Sequence, residues 1–240
     1  MSDNGWDASA AAWIESMGEH GDASRRYVLD GAMLARVHPD AHRAVLDVGC
    51  GEGRFCRILR EHSPGATCTG VDPTVALIER ARELDPNGEY RVGKAEALPY
   101  EADSFDLVVS YLTLIDIDDV PAALAEMTRV LRPGGSLLIA NLNSFATANN
   151  GEGWRDLPDG TGTYFPIDDY MVTRANRVSW SGINIVNWHR PMSFYMQALL
   201  STGLRLVHFD EPFPKTKEDA RYVSNYQRIP YFHVMEWVKR

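Results

Sequence analysis

The stretch Asp47-Val48-Gly49-Cys50-Gly51-Glu52-Gly53 decides how this chain is read. It continues Ala44-Val45-Leu46, an apolar run that suits a buried parallel strand, and a helical stretch follows from about Arg54 to Glu61. Glycines at 49, 51 and 53 let the backbone turn sharply and approach a ligand closely, with helix N–H groups facing it. A dinucleotide loop wants GxGxxG, with a small sixth residue for helix–strand packing. Here the spacing is GxGxG and the sixth position is Arg54, bulky and charged, which weighs against a nicotinamide site. Asp72 sharpens the signal. It ends a second apolar run, residues 66–71, where a carboxylate can accept both hydroxyls of an adenosine ribose. The plain alternative is that Asp72 merely caps the next helix.

Working outward, Asp72-Pro73-Thr74 opens a helix with Leu77, Ile78, Ala81 and Leu84 on one face. A short strand near 90–92 and a strong one at 105–110 follow. Asp119 as N-cap and Pro121 in the first turn start a helix that runs to Val130. Arg132-Pro133-Gly134-Gly135 reads as a turn and 136–140 as the fifth strand. Strands alternating with helices at this spacing predict right-handed βαβ units. The expected architecture is α/β and Rossmann-like, a seven-stranded mostly parallel sheet with helices on both faces. One domain over 1–240 is expected: N-terminal helices in 1–40, a binding core in 43–142, an inserted cap in 143–190, and a return to the sheet in 191–240. Residues 7–18 and 24–37 read as two helices across the top of the sheet, 191–202 as a helix, 205–209 as a strand, and 231–238 as an edge strand.

Four segments carry a resemblance: VLDVGCGEGRF (45–55), TGVDPT (69–74), AEALPYEADSFDLVVS (95–110) and LRPGG (131–135). In this order and spacing, over roughly residues 20–140, the chain resembles the class I S-adenosylmethionine-dependent methyltransferases. It looks most like the small-molecule branch typified by ubiquinone/menaquinone-biosynthesis methyltransferases, the methyltransferase type 11 domain. The resemblance implies S-adenosyl-L-methionine as cofactor and S-adenosyl-L-homocysteine as product. It implies that Asp47 and the loop Gly49, Gly51 and Gly53 hold the methionine part of the cofactor, and that Asp72 holds the ribose with Pro73 beside the adenine. Ala95, Glu96 and Ala97 would surround the adenine; Ser110 and Tyr111 would face the methionine and the transferring methyl. Relatives often carry Asp just before the Ala-Glu pair, whereas this chain has Lys94, which cannot accept a bond from the adenine amino group. An arginine of the segment 21–29 would reach the cofactor carboxylate, Arg26 first and Arg25 as the alternative.

Methyl transfer from a sulfonium is an in-line displacement in which positioning supplies roughly 7–11 kcal/mol, so little side-chain chemistry is required. Where the acceptor carries a proton, a general base adds roughly 10²–10⁴-fold. His189, in Trp188-His189-Arg190-Pro191, is one candidate base because its ordinary pKa lies near working pH. Asp116, in the stretch after the fourth strand, is the other. The segment 143–190 and its exit are crowded with Trp154, Tyr164, Phe165, Tyr170, Trp180, Trp188, Phe194 and Tyr195, suited to stack on a planar acceptor. Tyr164, Trp188 and Tyr195 are the acceptor contacts singled out. An Asn/Asp-Pro-Pro-Tyr motif for exocyclic amines is absent, and Ser110-Tyr111-Leu112-Thr113 stands in its place, against methylation of DNA amino groups or protein glutamine.

The 240 residues carry a net charge of −9, with 45% hydrophobic and 24% charged side chains, which places the chain among globular proteins and argues against coating nucleic acid. No apolar run approaches the roughly 20 residues that span a bilayer, and the first residues lack a signal-peptide pattern. Cys50, Cys56 and Cys68 form no disulfide framework, so a reducing cytoplasm is the expected home. His38 and His42 flank Pro39 in a loop-like stretch, and no metal is expected. The expected function is methyl transfer to O, N or C of a small aromatic or heterocyclic metabolite by a monomer or homodimer. A non-catalytic S-adenosylmethionine-binding module and a nicotinamide-dependent oxidoreductase are the rival readings.

Overall fold

Seven strands make one sheet in the computed structural model, which describes residues 4–18, 20–214 and 220–240. In chain order the sheet strands are β1 (Ala44–Val48), β2 (Thr67–Asp72), β3 (Glu89–Val92), β4 (Phe105–Tyr111) and β5 (Leu131–Leu142). Two short pairs follow, β6 (Arg155–Asp156) with β7 (Thr163–Tyr164), and β8 (Arg174–Trp180) with β9 (Ile183–His189). Strands β10 (Arg205–Asp210) and β11 (Phe232–Val238) complete the large sheet, whose order is β10-β11-β5-β4-β1-β2-β3. The five strands β1 to β5 run parallel and β11 lies antiparallel to both its neighbours. Chain order reverses between β1 and β4, and in open α/β sheets ligands lodge outside the carboxyl ends of the strands at that point.

The helices follow from local chemistry. Helix α3 (Arg54–His62) starts directly after the glycine loop, and α4 (Val75–Leu84) buries Leu77, Ile78 and Ala81, the face expected from their spacing. At α5 (Val120–Val130), the Asp119 carboxylate accepts from the Ala122 N–H at 3.0 Å, as its N-cap position predicts. Helix α1 (Trp6–Met17) precedes a π-helical turn, Arg25–Leu29, that runs into α2 (Asp30–Leu34). A short α6 (Ser144–Thr147), α7 (Met192–Ser201) and α8 (Ala220–Arg228) complete the set among the described residues.

Three expectations are corrected. The 231–238 run is an inner strand, seated between β5 and β10, because Phe232, Val234, Met235 and Trp237 are buried and neither sheet face there is free for water. The true edge is β10. Arg132–Gly135 does not separate helix from strand but forms an excursion inside β5: Phe105 pairs with Leu131, then Leu107 pairs with Ser136. Residues 174–189, expected to lack regular structure, form the β8–β9 hairpin. Their polar residues sit on its exposed positions while Ile183 and Ile185 point inward, so no strong apolar run marks them.

Alternation along the strands sorts the core into two layers. Leu137, Ile139, Met235 and Trp237 pack with α5 and α7, whereas Leu138, Ala140, Phe232 and Val234 pack with α2, α3 and α4 residues on the other face. Helix α1 lies outside both layers. The Ser9 hydroxyl and the backbone of Asn184 bond each other, and the Val186 N–H donates to the Asn4 carbonyl, so α1 is tied to the β8–β9 hairpin.

Candidate functional site

At the carboxyl end of β1 the glycine loop is shaped by close approach. A Cβ at Gly49 would stand 2.2 Å from the Thr113 side chain, and one at Gly53 would stand 2.6 Å from the Tyr90 ring; both glycines have φ of +75°. The Gly49 and Cys50 N–H groups donate to the Val71 carbonyl at 2.7 and 3.1 Å, which draws the loop against β2. Asp72 then locks it. One carboxylate oxygen accepts from the Gly51 N–H at 3.0 Å and the other from the Thr74 N–H at 2.9 Å. Burial pushes this carboxyl up while the two backbone bonds pull it down, and each oxygen keeps a further lone pair for a ligand.

Beside the loop runs a narrow cleft of about 50 Å³, lined by Trp13, Met17, Arg25, Asp47, Gly49, Cys50, Gly51, Glu52, Arg54, Phe55 and Tyr111. Asp47 is 1% exposed; the Cys56 thiol lies 3.7 Å from one of its oxygens, and the other has no partner. Burial, opposed by the thiol, pushes the Asp47 carboxyl up to about 7. Glu52 also keeps one buried oxygen without a partner. The Tyr111 hydroxyl donates to Asp30 at 2.9 Å, and its ring meets Phe55 edge-on.

Of the residues that close this cleft, sequence reasoning offered Arg25 only as an alternative and missed Trp13. The Trp13 indole N–H donates to Glu52 at 3.0 Å, and the Arg25 guanidinium lies 4.9 Å from the Trp13 ring centre and 5.7 Å from that of Tyr111. Helix α1 therefore covers the glycine loop, with Trp13 and Met17 lining the cleft. Arg54, whose bulk argued only against a nicotinamide site, holds the loop's helix to α2. It forks onto both oxygens of Asp30 and donates to the His20 carbonyl at 2.9 Å. No local sequence signal marked Asp30 or Trp13; both arrive from distant elements.

The other expected residues divide. Arg26 is exposed and stacks over Tyr27, whereas its neighbour Arg25 faces the cleft and pairs with Asp22; the turn of the π-helix decides which of the two points inward. Ala95 and Ala97 lie in a tight turn after β3 where Lys94 bridges Ala97, with Glu96 half-buried and Pro73 exposed. Ser110 is fully buried and its hydroxyl has no partner. His189 is fully buried in the cap: Nδ1 meets the Thr147 hydroxyl at 2.7 Å and Nε2 donates to the Tyr170 carbonyl at 2.8 Å. Neither nitrogen is free to take a proton, and burial holds the imidazole below its ordinary pKa, so this geometry is that of a framework histidine. Trp188 is half-buried with the Arg190 guanidinium 4.6 Å from its ring centre, Tyr195 is buried on α7, and Tyr164 is exposed on the β6–β7 hairpin.

Asp116 is half-buried in the segment after β4, accepting from the Asn187 amide of β9. Burial, reinforced by the charge of Asp72 and opposed by Asn187, Arg25 and Trp6, pushes its carboxyl up to about 8. Its backbone N–H donates to the Thr113 carbonyl at 2.9 Å, and the Thr113 side chain stands against Gly49, so this segment borders the glycine loop.

The methyltransferase-domain family matches residues 46–139. The malonyl-[acyl-carrier protein] O-methyltransferase of Salmonella typhimurium is 34% identical over 181 residues, covering 74% of this chain and 71% of that protein. That of Serratia marcescens is 34% identical over 124 residues, 52% of this chain and 47% of the relative; several other curated relatives also align over about half their length. The crystal structure of an S-adenosylmethionine-dependent methyltransferase from Mesorhizobium loti superposes with a TM-score of 0.77 at 28% identity, over 87% of this chain and 96% of that one.

Two predictions follow from the geometry alone. Arg54→Met leaves the half-buried Asp30 without its cation and lowers stability by about 1–3 kcal/mol in urea unfolding; an unchanged midpoint would show that the pair holds nothing. Asp47 has a folded pKa above its unfolded one, so its contribution to stability is lost as pH rises from the ordinary carboxylate range to about 7. The melting temperature of Asp47→Asn minus that of the parent therefore grows over that window and levels above it; a flat difference would contradict the assignment.

Proposed function

The chain belongs to the class I S-adenosylmethionine-dependent methyltransferases, and from that premise we propose that it methylates O, N or C of a small aromatic or heterocyclic acceptor held between the glycine loop and the cap. Its cofactor is S-adenosyl-L-methionine, and the residues present fit that group. The cleft offers an orphaned, buried carboxylate oxygen at Asp47 to a cationic amine and a guanidinium at Arg25 to a carboxylate, and Asp72, bonded to Gly51 of the lining, keeps lone pairs for a ribose. In this assignment Arg25 takes the role first expected of Arg26. When bound, the cofactor supplies an electrophilic methyl group on a sulfonium.

The observation that carries the catalytic reading is Asp116, a half-buried carboxyl on the segment that Thr113 sets against the glycine loop, with a raised pKa and an Asn187 partner. Its ionised form is a stronger base than an ordinary carboxylate, suited to accept the proton of an acceptor O–H or N–H as the new bond to carbon forms. With His189 bonded at both nitrogens, the base role goes to Asp116. Helix α1 and the β8–β9 hairpin, which carries the Asn187 partner of Asp116, are tied together through Ser9 and Asn184.

A second reading draws on the Salmonella relative, whose name describes O-methylation of a malonyl group on an acyl carrier protein. A carboxylate acceptor carries no proton, so that reaction needs no base. Among the described residues, no helix is long and apolar enough to cross a membrane.

Asp72→Asn should weaken S-adenosylhomocysteine binding by about 10–100-fold in calorimetry with the circular dichroism spectrum unchanged. Equal affinity would remove Asp72 from the cofactor site. The pH profile tests the base. For a protic acceptor kcat/KM rises with pH and levels above an inflection near 8, and Asp116→Asn lowers kcat by about 10²–10⁴-fold and abolishes the inflection. Parent-like turnover by Asp116→Asn would favour the carboxylate acceptor.

A further inference from the structure

A group of buried polar side chains lies on the α7 face of the sheet, at the same end as the glycine loop, and hydrogen bonding within the protein leaves it incomplete. Asn141, near the carboxyl end of β5, is 0% exposed, and both its amide nitrogen and its amide oxygen lack partners. Its cross-strand neighbour on β11 is His233, whose Nδ1 is also unpartnered. Strand alternation puts Asn141 and His233 on the face of Ile139 and Met235, and Ser110 on that of Val108; those three apolar residues pack with Tyr195. The Ser110 and Tyr195 hydroxyls are buried without partners as well. Each such group costs about 1–3 kcal/mol if nothing ever satisfies it, and native proteins keep few. Several on one face, at the end of the strands where this fold class binds its ligands, point to a ligand.

The surroundings specify its chemistry. Tyr195 packs on the strand face that carries Asn141, and its neighbour Phe194 has the Arg190 guanidinium 5.3 Å from its ring centre. Arg190 is itself buried, bonded to the carbonyls of Leu114, Ile117 and Asp118, and no carboxylate pairs with it among the described residues. Two neutral donors next to an unneutralised cation suit an oxygen function. Aromatic rings stand close by: Phe194 meets Tyr195 edge-on and flanks the Arg190 guanidinium opposite Trp188 as a second ring partner.

We infer that Asn141 and Tyr195 form an acceptor-recognition subsite, which takes a carbonyl or carboxylate oxygen on the ring of the acceptor and thereby presents the reacting atom beside Asp116. The inference rests on the methyl-transfer reading above and deepens it. Asn141 and Tyr195 are positioning residues here, and Asp116 remains the group that handles the proton.

The test uses the full chain saturated with S-adenosylhomocysteine, with benzoate and benzamide as probes in ligand-observed NMR titration. The parent protein binds at least one probe, while Asn141→Leu and Tyr195→Phe weaken that binding at least tenfold. Both variants keep S-adenosylhomocysteine affinity within twofold. Their melting temperatures stay level or rise, since an apolar side chain replaces a polar group that has no partner in the free protein. A merely structural Asn141 or Tyr195 would instead lower the melting temperature and leave probe binding per folded molecule untouched. If neither probe binds the parent, or the variants bind as the parent does, the subsite is overturned while the methyl-transfer reading stands. Loss of S-adenosylhomocysteine binding by the parent itself would sink the methyl-transfer reading instead.

Discussion

The Asp72 carboxylate, accepting one backbone N–H from the glycine loop and one from the start of the next loop, is the constraint on which the site depends. It joins the ends of β1 and β2, next to the β1–β4 boundary where chain order reverses. Without it the Gly51 N–H would lose this acceptor, and the loop would be held to β2 only by the Gly49 and Cys50 bonds to the Val71 carbonyl. Burying a carboxylate is costly, and the two N–H donors are what offset that cost. The sequence set capping of the next helix against ribose binding; the carboxylate instead bridges the Gly51 and Thr74 N–H groups, and each oxygen keeps a further lone pair.

A second frame surrounds this anchor. Arg54 and Asp30 hold α3 to α2, Tyr111 joins them from β4, and Trp13 reaches Glu52 from α1. Helix α1 is also bonded to the β8–β9 hairpin, whose Asn187 donates to Asp116, so α1, the hairpin and the segment after β4 form one hydrogen-bonded series.

Much of this was legible in the sequence where chemistry is local. The glycine spacing, the terminal Asp72, the Asp119 cap and the apolar face of α4 each depend on residues within a turn or a strand of one another, and each forms as expected. What stayed hidden depends on distant partners. Arg25 and Arg26 are equivalent on paper, and only the π-helical turn selects the first. His189 looks like a base until Thr147 and Tyr170 take up its two nitrogens. The β8–β9 hairpin carries little apolar signal because half of each strand faces water. Asn141 drew no notice because an asparagine ending a strand is ordinary; what sets it apart is the lack of any partner in a buried place.

The central claim is that the cleft under α1 is built for an adenosyl sulfonium and not for a nicotinamide. Its most direct test is calorimetric titration of one protein sample with S-adenosylmethionine, S-adenosylhomocysteine and NADH. The account predicts micromolar binding of both adenosyl ligands and none of NADH. Binding of NADH with silence from the adenosyl ligands would contradict it.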